Sequence, residues 1–302
     1  MSREAHHESP VERKAGSSGP AGPSPLVWIL ERWAAGLWIL GVATALIAGV
    51  AFAWALQRTW LPVVRVAVSN WPGLVRCQQG HFEFPTDQPR LLAEGHDLAL
   101  ILDPRHDGTI RTPAWVQVQW GISTLRLRGP LGEWEARFPR GWTFERDPAS
   151  ARATWEAWEG VLLVGLALTA AVSLLLAWPV LATVYWPGLS LVARLLGKQA
   201  QGRVLWRIGL LAQLPGAWFM IASLFGFGSG WLNLLRLLVA FGLHWILTWG
   251  VLAGLVLSLP RRARTVASPA NPFAAALNAV NDPAAEGRAT GESSEEDTHK
   301  LS

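Results

Sequence analysis

Residues 33–56, "WAAGLWILGVATALIAGVAFAWAL", form an unbroken run of apolar and small residues without a single charge. A helix needs about 20 such residues to cross the hydrocarbon core of a bilayer, so this run predicts a membrane span. Cleavage as a signal peptide is the alternative, because "AWA" at 53–55 has the small-x-small pattern of a cleavage site. The run is longer than a signal core and follows a polar arm, so we expect it to remain as an anchor.

Three further stretches have the same apolar character. Residues 161–185 read "VLLVGLALTAAVSLLLAWPVLATVY", and two more stretches cover about 208–227 and 232–259. The connection "GSGW" between the last two is too short to cross the membrane again, so they form an antiparallel hairpin. Hydrophobic residues make up 51% of the 302 residues, which also favours a membrane protein. The predicted fold class is an α-helical polytopic membrane protein with four transmembrane helices.

Basic residues predict the orientation of these helices. Short flanks on one side of the four spans carry eleven of them, and the positive-inside rule makes that side cytoplasmic. Tryptophan and tyrosine residues cluster at the predicted span ends, as expected for the headgroup level. We therefore expect a multi-pass membrane protein with both termini cytoplasmic and residues 60–157 outside. The basic residues are Arg3, Arg13, Lys14, Arg32, Arg194, Lys198, Arg203, Arg207, Arg261, Arg262 and Arg264.

These patterns divide the chain into eight predicted segments. The terminal segments are rich in Ser, Pro, Gly and Ala or in acidic residues, which predicts disorder. The segments are a disordered cytoplasmic arm (1–32), transmembrane helix 1 (33–56), an extracytoplasmic β-rich domain with a helical stalk (57–159), transmembrane helix 2 (160–186), a cytoplasmic connection that is either an interfacial helix or a loop (187–207), transmembrane helix 3 (208–228), transmembrane helix 4 (232–259) and a disordered cytoplasmic tail (260–302).

The segment between the first two spans is predicted to be a small α+β domain. Apolar residues alternate with polar ones in several short runs, which is typical of half-buried strands. Residues 98–102 are apolar throughout and predict a central strand covered on both faces. A short helix is predicted over 89–94, and Asp147-Pro148 begins a second helix that runs directly into the second span. The alternating runs are 64–68, 116–120, 125–128 and 134–138.

Residues 96–112, "HDLALILDPRHDGTIRT", place two histidines and three aspartates around an apolar run. A metal or acid–base site competes here with a turn between two strands. Asp103-Pro104 favours a turn, Gly108 supplies the positive φ, and His106 would point into water. The polar residues straddle a strand whose ends lie about 17 Å apart, which is too far for converging metal ligands. We predict a hairpin turn and retain Asp103 and His106 as candidate site residues.

Polar residues within the predicted spans are the other candidates. His244 lies near the middle of the fourth span and Gln213 inside the third, so the two side chains can face each other in the hairpin. A relay for protons or a substrate is the functional interpretation. One interhelical hydrogen bond of about 0.6 to 2 kcal/mol is the structural interpretation, which we favour. Arg236 lies nearer the outer end and reaches the headgroups by snorkelling.

Short phrases along the chain carry a family resemblance. They are "LP" at 61–62, "GHFEFP" at 80–85, "LILDPRHDGTI" at 100–110 and "LAQLPG" at 211–216. In these phrases and in layout the chain resembles a bacterial family of uncharacterised four-span membrane proteins, distantly similar to the Yip-like polytopic proteins. The turn between Asp103 and Gly108 is slightly longer than the family pattern. The resemblance implies the four-span layout with one extracytoplasmic insert and a place in the bacterial cytoplasmic (inner) membrane, and it implies no catalytic residues.

Three hypotheses for function remain. We expect an envelope protein without enzymatic activity, whose extracytoplasmic domain binds a protein partner or stabilises a complex. A small transporter or permease component that uses the polar residues of helices 3 and 4 is the alternative, and a metal enzyme that uses the outer histidines is the third. The dispersed basic residues argue against nucleic acid as a partner. The single cysteine, Cys77, excludes an intramolecular disulfide and any cysteine-based metal cluster, and we expect no cofactor.

Overall fold

The computed structural model describes Arg32 and residues 34–105, 107–199 and 201–261. Within these residues, four helical segments are long and apolar enough to cross a membrane, and a β-sheet region separates the first from the second. The fold is therefore mixed α/β and compatible with a multi-pass membrane protein. In chain order the helices are α1 (Ala34–Thr59), α2 (Leu61–Ser69), α3 (Pro148–Leu195), α4 (Gly202–Leu211), α5 (Gln213–Gly228) and α6 (Leu234–Leu257); α4 and α5 together form the third apolar segment.

Helix α3 joins the β-sheet region to the second apolar segment without a break, as the sequence predicts. Its 48 residues correspond to a length of about 72 Å at 1.5 Å per residue. At its N-terminus, the Asp147 side chain accepts a hydrogen bond from the Ser150 amide at 2.7 Å. The Ser150 hydroxyl in turn accepts one from the Asp147 amide at 3.0 Å, which completes a capping box. At the other end the helix passes Pro179 and continues beyond the apolar stretch to Leu195.

Small residues allow the apolar helices to pack closely. Ala45 and Ala51 of α1 are fully buried, and Gly49 lies on the same helix against α3. A Cβ atom at position 49 would lie 2.3 Å from the carbonyl oxygen of Ala167, so only glycine permits this approach of the two backbones. Gly216 has the same role between α5 and α6, where a Cβ atom would lie 2.5 Å from the Thr248 hydroxyl. Such contacts are typical of helices that pack within a membrane.

Two sheets form the β domain. The three-stranded sheet has the order β2-β1-β8, and the five-stranded sheet has the order β3-β4-β5-β6-β7. All neighbouring strands are antiparallel except β4 and β5, which are parallel. The strands are β1 (Val75–Gln78), β2 (His81–Glu83), β3 (Arg90–Glu94), β4 (Leu98–Leu102), β5 (Val116–Trp120), β6 (Thr124–Gly129), β7 (Gly132–Arg137) and β8 (Phe144–Arg146).

Strand β4 confirms the prediction of an apolar strand covered on both faces. All five of its residues are buried, and it lies between β3 and β5 in the sheet. Leu98, Leu100 and Leu102 pack against α2. Ala99 and Ile101 on the opposite face are also buried, with at most 1% of their surface exposed. Strands β5, β6 and β7 likewise agree with the alternating runs that predicted them.

Two predictions for local structure were wrong. Residues 64–68 lie in helix α2 and not in a strand, because Val63 and Ala67, four residues apart, bury one helical face against β3 and β4. Residues 90–94 form strand β3 and not a helix. A bulge between Leu91 and Ala93 turns two consecutive residues, Leu92 and Ala93, into the core, which disguises the alternation of a strand.

The hairpin predicted at residues 103–110 was also wrong. Since β5 runs parallel to β4, the chain must cross over between them, and it does so through the connection 103–115. The predicted turn chemistry is nevertheless present. Gly108 has a φ of 65°, and its amide donates to Asp103 Oδ2 at 3.1 Å. The turn therefore starts a crossover and does not return the chain antiparallel to β4.

Candidate functional site

A pocket of about 160 Å³ lies between the two sheets of the β domain. Trp71 and Pro72, which follow α2, form one part of its wall. Residues of both sheets and of the loops next to their strands form the rest. Val75, Leu92 and Leu102 supply the aliphatic part of the lining. Seven aromatic side chains complete it: Trp71, Phe82, Phe84, Trp120, Phe138, Trp142 and Phe144.

Phe82 of β2 organises the aromatic wall. Its ring centroid lies 4.6 Å from that of Phe138, 5.6 Å from that of Phe144 and 5.8 Å from that of Phe84. These separations fall in the range at which aromatic pairs attract each other beyond simple burial. Phe82 is buried, so this side of the pocket forms a rigid inner wall.

Trp142 lies on the exposed side of the same pocket. Its side chain is 48% exposed, and its ring centroid lies 6.1 Å from that of Phe138. The backbone of Trp142 is held at both ends, since its amide donates to the Pro139 carbonyl at 3.1 Å and its carbonyl accepts from the Gly80 amide at 3.2 Å. The backbone that carries the half-exposed indole is therefore restrained at the open side of the pocket.

The chemistry of this lining suits an apolar guest. Its residues present aromatic and aliphatic carbon, and apolar cavities of about 150 Å³ in other proteins stay dry and bind benzene. A ring or a branched aliphatic group that enters the pocket would remove apolar surface from water, which is worth about 25 cal/mol per Å².

The predicted candidate Asp103 does not line this pocket. Asp103 is only 1% exposed, Oδ2 accepts from Gly108, and Oδ1 has no hydrogen-bond partner. Buried Gln119 of β5 also has an amide without partners. His106 lies outside the described residues. Asp103 therefore acts within the crossover turn and does not line the aromatic pocket.

Gln213 and His244 are not joined by a hydrogen bond. Gln213 is buried at the start of α5, and its Nε2 atom has no hydrogen-bond partner. His244 Nδ1 pairs instead with the Phe241 carbonyl of its own helix. The backbone of His244 packs against Gly216, so helices α5 and α6 are in contact there. Among the described residues, however, the predicted hydrogen bond between the Gln213 and His244 side chains is not formed.

Arg236 lines a polar cleft of about 560 Å³ beside the α5–α6 loop. Arg58 of α1 and the neighbouring residues His96 and Asp97 of the β domain share this cleft. Asp97 Oδ1 accepts from His96 Nδ1 at 3.0 Å and from the Leu234 amide at 3.3 Å. The cleft therefore includes a direct polar contact between the β domain and the first turn of α6.

A second polar contact fixes the β domain to α3. The Arg65 guanidinium of α2 binds the Glu159 carboxylate, with Nε lying 3.1 and 3.0 Å from Oε1 and Oε2. Hydrogen bonding from Arg65 holds the pKa of the Glu159 carboxyl below its ordinary value, and the same bond raises the pKa of Arg65. Together with the covalent connections, these contacts attach the domain to α1, α3 and α6.

No known protein family, curated protein or solved structure matches the chain. The resemblance to uncharacterised four-span bacterial proteins therefore stays a prediction. In the described part of the chain, no group of three or more His, Cys, Asp or Glu side chains is placed to hold a metal ion. The site is consequently defined by its geometry alone.

Sequence reasoning did not find the aromatic pocket. Its lining residues are dispersed from position 71 to position 144, and none of them forms a motif. One available signal was the density of aromatic residues in the phrases "HFEF" at 81–84 and "FPRGWTF" at 138–144. Strands β1, β2 and β8 bring these two phrases together in one sheet.

Proposed function

We propose that this protein is a membrane-anchored binding protein without enzymatic activity. In this proposal the four apolar segments cross the bacterial cytoplasmic membrane, the β domain lies on the outer surface, and the aromatic pocket receives one aromatic or branched apolar side chain of a protein partner. The aromatic pocket is the observation that carries the proposal. Its rigid inner wall and half-exposed Trp142 are typical of a site that accepts a side chain from outside.

The attachment of the domain supports a partner-binding role. A 48-residue helix, the Arg65–Glu159 ion pair and the Asp97–Leu234 contact limit how far the domain can move against the helices. A binding site held in this way loses little freedom when a partner binds, which favours affinity. It also presents the pocket at a defined height above the membrane, where another envelope protein can reach it.

Photocrosslinking in living cells tests this proposal. p-Benzoylphenylalanine replaces Trp142 at the edge of the pocket, and in a second strain it replaces Trp115, which does not line the pocket. We expect a discrete, protein-sized adduct from position 142 and none from position 115. An adduct with the mass of a small molecule would instead identify a free apolar compound and contradict the protein partner.

A pocket-filling variant supplies the matched control. Val75→Phe places a ring in the pocket, whereas Leu74→Phe adds the same ring at a neighbouring, exposed residue outside it. The adduct at position 142 should disappear with Val75→Phe and persist with Leu74→Phe. If both variants keep the adduct, the pocket does not hold the partner and the proposal is wrong.

A further inference from the structure

The β6–β7 hairpin at the edge of the five-stranded sheet is amphipathic. Cross-strand pairing places Leu125 opposite Ala136 and Leu127 opposite Trp134, which lie on one face. Arg126 and Arg128 lie opposite glutamates on the other face. There, Arg126 Nε is 2.9 Å from Glu133 Oε1, and Arg128 Nε is 3.0 Å from Glu133 Oε2. One face of the hairpin is therefore apolar, and the other is charged and internally paired.

The apolar face of this hairpin extends beyond the helix that covers the rest of the sheet. Helix α2 packs on the side of β3 and β4, and Val118 of β5 belongs to the same cluster. Leu127 of β6 lies next to Val118 and is already 37% exposed, and Trp134 of β7 is 59% exposed. At the tip, Leu131 is 90% exposed. An apolar surface that grows more exposed towards one end of a sheet requires a cover.

A groove of about 350 Å³ separates the hairpin from the helices. Leu127, Leu131 and Trp134 line one wall, while Leu234 and Leu238 of α6 and Trp60 after α1 line the other. Leu234 and Leu238 belong to the first turns of a helix that is apolar enough to span a membrane, and Leu235 and Val239 beside them are exposed. The groove is therefore continuous with the surface of α6 that would face lipid.

We infer that the β6–β7 hairpin is a lipid-contact element, whose tip enters the leaflet next to the β domain and whose groove takes an acyl chain of a phospholipid. The assignment of lipid rests on the proposed membrane insertion of α6, because the groove is continuous with an apolar surface of that helix and an acyl chain matches its chemistry. Trp60 and Trp134 then lie at the headgroup level, where indole rings concentrate. Arg126 and Arg128 lie on the other face of the hairpin, where their side chains are 18% and 39% exposed, and Glu133, which pairs with both, lies at the edge of the groove.

Site-directed spin labelling tests this inference on the full chain. In a Cys77→Ala background, a nitroxide is attached at Leu131→Cys, at Val239→Cys as a lipid-facing reference, and at Gly141→Cys as an exposed turn of the same domain with no neighbour within 4 Å of a Cβ atom. The protein is reconstituted in vesicles of phosphatidylethanolamine and phosphatidylglycerol. Power saturation then compares collisions with oxygen and with a water-soluble nickel chelate.

We expect the label at 131 to favour oxygen over nickel as the label at 239 does, and the label at 141 to favour nickel. If position 131 behaves like position 141, the hairpin does not contact lipid. If position 131 is shielded from both reagents only in native membranes and not in these vesicles, a protein covers the hairpin and the inference is wrong. Because Leu131 is exposed and outside the aromatic pocket, neither outcome bears on the crosslink at Trp142.

Discussion

Gly49 allows helices α1 and α3 to pack closely because it has a hydrogen atom where other residues have a Cβ atom. It lies where α1 and α3 approach most closely, and a Cβ atom there would meet the Ala167 carbonyl. The neighbours on α1, Ala45 and Ala51, are buried and equally small. Since the obstructing atom belongs to the backbone of α3, it cannot move aside without shifting the whole helix.

Gly49→Val should therefore destabilise the helical bundle strongly. We expect a loss of about 1 to 3 kcal/mol or more in the free energy of unfolding, which is the usual cost of overpacking. Thermal unfolding in detergent measures it. Gly242→Val is the matched control, because a Cβ atom at position 242 has no neighbour within 4 Å. Equal midpoints for the two variants would show that the α1–α3 contact is not as close as described.

Asp103 offers a second test at one side chain. The carboxylate is buried and accepts a hydrogen bond from the Gly108 amide, so it shapes the start of the crossover. Asp103→Ala leaves that amide without its partner and should cost about 1 to 2 kcal/mol of stability, whereas Asp103→Asn keeps an acceptor of the same size. Denaturant unfolding compares the two. A larger loss for Asn than for Ala would contradict a role limited to the turn.

An ion pair joins helices α2 and α3. Arg65 and Glu159 belong to different helices, and their bidentate pairing lowers the pKa of Glu159. A carboxyl whose pKa is lower in the folded protein than in the unfolded chain adds stability above the unfolded value. This stability is lost as the pH falls through the folded value.

Glu159→Gln should therefore destabilise the protein near neutral pH by about 0.5 kcal/mol, as expected for a partly exposed ion pair. The difference from the wild-type protein should shrink as the pH falls below the ordinary carboxyl pKa of about 4.3 and through the lower pKa of the folded protein, because Glu159 is then protonated in both the folded and the unfolded chain. Thermal unfolding over a pH series measures the difference. Glu156→Gln, at an exposed position one turn earlier on α3, is the control and should show no such pH-dependent difference. A constant difference across the series would argue against the ion pair.

Among the described residues, few polar contacts join the β domain to the apolar helices. Asp97 accepts from the Leu234 amide at the start of α6, and this bond joins positions 137 residues apart in the chain. The surrounding cleft, with Arg58 and Arg236, leaves the rest of this boundary open to solvent. The bond is therefore a principal restraint on the domain at this corner.

Asp97→Ala should loosen the domain from α6 without unfolding it. We expect faster hydrogen exchange in a peptide that covers Leu234 and Arg236, because the loss of one hydrogen bond costs about 1 kcal/mol. Mass spectrometry of deuterium uptake measures this effect. His96→Ala removes the exposed neighbour but keeps the Asp97 carboxylate, so its uptake should match that of the wild-type protein. Unchanged exchange with Asp97→Ala would place the restraint elsewhere.

Features with a local cause were predictable. The apolar runs of about 20 residues predicted the helices because length and composition alone make a helix suited to a membrane. The start of α3 at Asp147-Pro148 was readable because an N-cap acts over a few residues, and the structure adds the reciprocal bond from Ser150. The strands at 116–120 and 134–137 were readable because alternation reports burial on one face, and the strand at 98–102 because an unbroken apolar run reports burial on both faces.

The amino-acid order thus specified the apolar helices, four of the eight described strands and the turn at Asp103, since each depends on neighbours a few residues away. Contacts between distant segments decided the remainder: α2 in place of a strand, β3 in place of a helix, the parallel crossover, and the separation of Gln213 from His244. The aromatic pocket and the lipid-facing groove belong to this second class. Their walls come from segments tens of residues apart. Which of these side chains meet is decided by burial in the folded chain, and no short stretch of sequence encodes that burial.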